Sequence, residues 1–126
     1  MRGYQVTIKE VSKELTAKEK VAFKNTTSAV KLDEATQNGP VTVYPDYYGI
    51  LNIHNEKASD NPDYENYVVI DKETGKKYIT GSQSFWTSFM EIAEEMEGET
   101  EEWGVEIFRS PSKNYKGKDF ITCSIV

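Results

Sequence analysis

One stretch of this chain has an unmistakable helical period, and it lies among segments that alternate like strands. From Gln83 to Glu97 (QSFWTSFMEIAEEME), Phe85, Trp86, Phe89, Ile92, Ala93 and Met96 recur at helical spacing and form one wide apolar stripe. Ser82 or Ser84 can cap the start, and Gly98 suits the C-terminal cap. A stripe that wide has to be covered by a core. Nearly everything else that is apolar in the chain alternates with period two, so the cover has to be β-sheet.

After the helix come two strands joined by a polar loop, Trp103 to Val126 (WGVEIFRSPSKNYKGKDFITCSIV). In Gly104 to Phe108, Val105 and Ile107 share one face and Glu106 and Phe108 the other; Phe120 to Val126 alternates likewise and is rich in β-branched residues. Before the helix, Tyr4 to Val11 alternates, with Tyr4, Val6 and Ile8 on one side. Thr16 and Glu19 have capping-box spacing ahead of a two-turn helix over AKEKVAFKN. Ser28 to Glu34 reads as a second strand, and Val41 to Ile53 as a long β stretch interrupted by Pro45 and Asp46, where proline argues for an edge or a bulge. His54 to Asp63 is a loop by composition. Tyr64 to Ile70 and Lys76 to Thr80 are strands joined by the turn Asp71 to Gly75.

At 126 residues the chain is expected to form one domain, residues 1–126, without a repeat or linker. It has no apolar run of membrane-span length and no signal-peptide core at its start, so a soluble, cytoplasmic protein is expected. The single Cys123 cannot form an intramolecular disulfide, and one histidine, His54, leaves little for a metal site. No phosphate-cradling glycine loop, nucleophile elbow or metal-binding helix pair is present, so neither catalysis nor a cofactor is expected. Net charge is −6, but Glu91, Glu94, Glu95, Glu97, Glu99, Glu101 and Glu102 alone carry −7, and the remainder stands at +1. The overall acidity therefore does not exclude a local anion-binding face.

Several strands, one amphipathic helix and two further strands is the element order of an oligonucleotide/oligosaccharide-binding (OB) fold. The expected architecture is a mainly β, OB-like barrel with the helix at residues 83–97 packed against one end. A helix-capped β-sandwich or a plain α+β sheet fits the same strand pattern. In the OB mapping residues 12–27 and 109–119 are the two loops that flank the binding face, and both carry cations. Lys13, Lys18, Lys20 and Lys24 lie in the first; Arg109, Lys113, Lys116 and Lys118, with the ring of Tyr115, lie in the second. Cations of this kind track a phosphate backbone, and a tyrosine can stack on any base. Tyr44, Tyr47 and Tyr48, with Tyr64 and Tyr67, form a second set of candidate rings. A run such as YPDYY is expected to leave at least one of Tyr47 and Tyr48 facing out. The acidic segment Glu91 to Glu102 reads either as a solvated helix face or as a surface that recruits basic partners.

The helix SQSFWTSFMEIAEEM followed by WGVEIFRSPSKNYKGKDFITCSIV resembles the small OB-fold single-stranded-DNA-binding proteins of phages and prophages. That resemblance implies coating of unwound DNA during replication or recombination in the host cytoplasm, often as a homodimer, with replication or recombination proteins as further partners. The chain departs from the bacterial type in ending on the strand ITCSIV instead of a linker and acidic tip. The competing expectation is a small inhibitor whose glutamates mimic nucleic acid and occupy a basic groove. Charge geometry separates the two: the first needs cations away from Glu91–Glu102, the second needs those glutamates as the working face.

Overall fold

The computed structural model describes residues 4–56, 62–111 and 119–126. Its elements are β1 (Tyr4–Val11), α1 (Ala17–Lys24), β2 (Val30–Lys31), α2 (Leu32–Ala35), a 3-10 turn (Thr36–Asn38), β3 (Val41–Val43), β4 (Pro45–Asn55), β5 (Asp63–Asp71), β6 (Lys77–Thr80), α3 (Gln83–Glu95), β7 (Val105–Pro111) and β8 (Asp119–Ile125). The protein is mainly β and its strands form two sheets: a five-stranded one in the order β1-β4-β5-β6-β2, and a three-stranded one in the order β3-β7-β8. Among the described residues no ladder joins the two sheets into a closed barrel.

The sheets meet through one stretch of chain. β3 pairs with β7, and β4, which begins two residues after β3 ends, pairs with β1 and β5. Pro45 marks the corner. Proline has no N–H to give a ladder, and the β4–β5 register slips between Pro45 and Tyr47. The bulge expected at Pro45 is therefore the point where the chain passes from one sheet to the other. The corner is pinned by Asp71, whose Oδ1 accepts the Tyr44 N–H at 2.9 Å while Oδ2 accepts the Thr74 N–H at 3.0 Å.

Both faces of the five-stranded sheet are covered. Leu51, Ile53, Val68, Ile70 and Ile79 pack with Leu15 and Phe23 on the face beneath α1. Val69 and Tyr78, on the opposite face, join Phe85, Phe89 and Ala93 of α3 and Val43, Val105, Ile107, Ile121 and Cys123 of the small sheet. Val68 and Val69 are adjacent on β5, so their side chains point to opposite faces and each finds a core. Gly49 is required where β1 bulges past Ile8: a Cβ on it would lie 2.2 Å from the Glu10 carbonyl oxygen.

α1 begins with the expected capping box. The Glu19 N–H donates to Thr16 Oγ1 at 3.2 Å, and the Thr16 N–H donates to Glu19 Oε1 at 2.9 Å. α3 is capped by Ser82, whose Oγ accepts the Phe85 N–H at 3.3 Å, and it ends at Glu95, two residues short of the expected Glu97. Gly98 takes the positive φ of 84° that lets the chain turn away. The strand expected over Ser28 to Glu34 is corrected. Only Val30–Lys31 pairs, in parallel with β6, and Leu32–Ala35 is one helical turn. Leu32 is fully buried in the main core, and Thr36 Oγ1 closes the turn on the Leu32 carbonyl at 2.7 Å. Burial of Leu32 and that hydroxyl bond decide the turn against the short alternation of SAVKLDE.

Cys123 is 8% exposed on β8, and burial pushes its thiol pKa up to about 12. A thiol this far above neutrality holds almost no thiolate at pH 8, and the thiolate is the nucleophile. In the folded protein Cys123 should stay unlabelled by a thiol-reactive disulfide reagent at pH 8 and react fully once urea unfolds the chain. Native labelling at the rate of a free thiol would show that β8 does not bury it.

Candidate functional site

Hydrophobic alternation builds the β7–β8 hairpin from its base. Val105 and Ile107 are fully buried, and Ile121 and Cys123 nearly so. Val105 faces Ile125 at the base; Pro111 faces Asp119 at the other end, where the described part of the hairpin stops. α3 runs alongside β8. Ser84 Oγ donates to the Ile121 carbonyl at 2.9 Å, and Ser88 Oγ lies 2.9 Å from Thr122 Oγ1. The helix therefore points its C-terminal end toward the hairpin base, where the Trp103 ring lies 6.2 Å from that of Phe89, tilted against it. All seven glutamates of Glu91–Glu102 are exposed, and they sit on this end of α3 and on the segment joining it to β7. Negative charge gathers at the hairpin base.

Lys113, Tyr115, Lys116 and Lys118 lie outside the described residues. The strand ends that bracket them, Pro111 and Asp119, are at the end of the hairpin away from the glutamates. Arg109 is half-buried and already engaged. Its Nε donates to Thr36 Oγ1 at 3.1 Å, and Nη2 donates to the Asp33 carbonyl. It ties β7 to the turn after β2, which leaves only part of the guanidinium for an anion.

Lys18, Lys20 and Lys24 are exposed on α1. α1 packs on the face of the five-stranded sheet opposite α3 and the small sheet, so these lysines and the β7–β8 hairpin stand on opposite faces of that sheet. The described residues do not bring the two cationic segments to one surface. Lys20 and Lys24 instead line a shallow groove of about 440 Å³ against β1.

Tyr44, Tyr47 and Tyr48 are packed and half-buried, Tyr67 is buried, and Tyr64 is exposed on β5. Tyr47 lies against Phe23 at 5.8 Å between ring centres, with the Lys13 ammonium 4.4 Å above its ring. Tyr48, on the other face, meets Phe89 edge-on at 4.9 Å. The Tyr44 ring fills the space over Gly104, where a Cβ would come within 2.7 Å of it. Tyr67 stacks on Trp86 at 5.0 Å. No ring of YPDYY is fully buried: Tyr47 and Tyr48 each pack one side against a core and keep part of their surface open. Because each face of the sheet carries its own core, adjacent tyrosines on β4 both find apolar partners.

Phe120, not singled out in the sequence as a site residue, is 39% exposed on β8 opposite Ser110, one residue from the end of the described hairpin. The signal was present: Phe120 is out of phase with Ile121 and Cys123, so burying those two turns it outward.

His54 is the penultimate residue of β4, with Nδ1 2.6 Å from Asp63 Oδ1 and Nε2 3.7 Å from Glu56 Oε1. The hydrogen bond to Asp63 holds its pKa above the ordinary histidine value. The cluster is exposed, and Gln5, Thr7 and Asn52 line the same surface depression. Among the described residues no group of histidine, cysteine and carboxylate side chains is arranged to hold a metal ion, and no helix is long and apolar enough to cross a membrane. Comparison of the chain with protein-family models, curated proteins and solved structures finds no match.

Proposed function

We propose that the chain binds single-stranded DNA without sequence preference through the β7–β8 hairpin. The observation that carries this reading is the segregation of charge along that hairpin. Glutamates crowd its base, while the segment with Lys113, Lys116 and Lys118 joins its opposite end, beside the exposed ring of Phe120. A buried, hydrogen-bonded base gives such an end a fixed direction. Phe120 takes the stacking role first given to Tyr44, Tyr47 and Tyr48, whose rings are packed. An OB-like relationship belongs to the same reading: β4 pairs antiparallel with both β1 and β5, α3 follows β6, and the chain from Val41 to Asn55 runs through both sheets.

Binding is tested by fluorescence anisotropy with labelled oligo-dT and oligo-U at two salt concentrations. Affinity should fall with salt at a log–log slope of about −0.7 per phosphate contacted. Lys113→Ala/Lys116→Ala should flatten that slope by about 1.4, while Phe120→Ala should cost about 1–3 kcal/mol and leave the slope nearly unchanged. An absence of binding at low salt would defeat the proposal. It would favour the reading in which the glutamates mimic nucleic acid, for which the exposure of all seven is the supporting observation.

A further inference from the structure

A cleft of about 600 Å³ opens between the C-terminal end of α3 and the corner where β3 passes into β4. Its floor is apolar and aromatic, from Tyr48, Met90, Met96 and Trp103. Its rim is acidic, with Glu94, Glu97 and Glu99 on one side and Asp46 on the other. The only cation lining it among the described residues, Lys13, is held 3.4 Å from Glu19 and over the Tyr47 ring. Burial raises the pKa of the Tyr48 hydroxyl, and the charges of Glu97 and Glu94 raise it further, so those carboxylates bear on the floor as well as on the surrounding solvent.

These charges stand where helix physics disfavours them. The C-terminal end of α3 carries the negative end of its dipole, yet its last turn holds glutamates and no basic residue. Among the described residues none of the seven glutamates forms a salt bridge. A local rule broken without compensation marks a functional surface. Aromatic rings under an acidic rim suit a lysine or arginine side chain: the rings and methionines take its stem and its cation face-on, and the carboxylates take its N–H groups.

We infer that this cleft docks a lysine- or arginine-rich segment of a partner protein, with one cationic side chain anchored between Trp103 and the Glu94–Glu97 rim. Among the described residues no cation other than Lys13 lines it. The lysines of α1 lie beyond the five-stranded sheet, and the far end of β7 is about 20 Å from its base at roughly 3.3 Å per residue. The inference does not rest on DNA binding, because it uses no residue of the hairpin's far end.

The test is calorimetric titration of the full chain with an unstructured arginine/glycine peptide, in low and moderate salt. Glu94→Gln/Glu97→Gln removes two rim charges; Glu91→Gln/Glu95→Gln removes two from the same helix outside the cleft. The first pair should weaken peptide binding about tenfold or more, as expected for lost charge-assisted hydrogen bonds, and the second by no more than about twofold. Equal losses from the two pairs would reduce the effect to diffuse electrostatics and overturn the inference, as would no binding by the wild type. Spermine binding as tightly as the peptide, with the same rim dependence, would assign the cleft to a small polyamine. Self-association abolished by the rim variant would assign it to a second copy. Either outcome overturns the partner-segment assignment.

Discussion

Replacing Phe89 by alanine should lower the free energy of unfolding by about 3–5 kcal/mol, the range for emptying a buried aromatic site. Phe89 has no exposed surface. Its ring centre lies 4.9 Å from that of Tyr48, 5.5 Å from Trp86, 5.6 Å from Phe85 and 6.2 Å from Trp103. Those partners come from β4, from α3 and from the segment leading into β7. The ring therefore holds the helix to both sheets at once, and the cavity left behind has walls that cannot all move inward together. Urea unfolding followed by tryptophan fluorescence reads the loss as a lower midpoint with unchanged slope. A loss under about 1 kcal/mol, as at a surface position, would mean that α3 does not close this core.

Asp71→Ala should cost about 3 kcal/mol, because it orphans several donors while removing a charge that accepts from them. Asp71 is 5% exposed, and the Tyr44 N–H, the Thr74 N–H and the Thr74 hydroxyl all donate to its carboxylate. Burial alone would raise its pKa. The hydrogen bonds from Thr74, Tyr44 and Glu73 outweigh burial and hold the pKa below the ordinary aspartate value. A carboxyl whose folded pKa is depressed contributes stability that is fully present above the unfolded pKa of about 3.9 and is lost as pH falls through the lower folded value. The gap between wild type and Asp71→Ala should therefore be widest near neutral pH and narrow as the pH drops below about 4. Chemical denaturation at several pH values measures it directly, and a gap that widens in acid would refute this role. Structurally the bonds lost are those that pin the corner between the two sheets.

Much of this architecture was written locally. Thr16 and Glu19 are three residues apart and satisfy each other, so the capping box is decided before any tertiary contact forms. The turn Asp71–Gly75 rests on short-range bonds and on Gly75 at a φ of 73°. The stripe of α3 and the alternation of β7 and β8 each mark side chains for covering; Phe85, Phe89, Ala93, Val105, Ile107, Ile121 and Cys123 are covered, while Trp86, Ile92 and Met96 are half-buried and Ile125 is exposed. Phase also exposed Phe120, which alternates against the buried Ile121 and Cys123.

Other features depend on partners far away in the chain, and no local pattern announces them. Arg109 reads as a free cation until the fold places it against Thr36 and Asp33, more than seventy residues earlier. Tyr47 and Tyr48 read as candidates for exposure until a second core, under α1, covers the far face of their sheet. Ser28 to Glu34 alternates like a strand, and burial of Leu32 turns it into a helical turn. Pro45 announced a break in pairing, but the second sheet that the chain enters there, and the acidic cleft beside it, required β7 and α3 to be in place. Outside Ser28 to Glu34, the sequence by itself determined which residues form elements and which of their faces are apolar, because propensity, capping and period act over a few residues. The tertiary structure alone decided what those faces meet and which charges remain open to solvent, because burial and electrostatic pairing depend on distances that only the assembled fold sets.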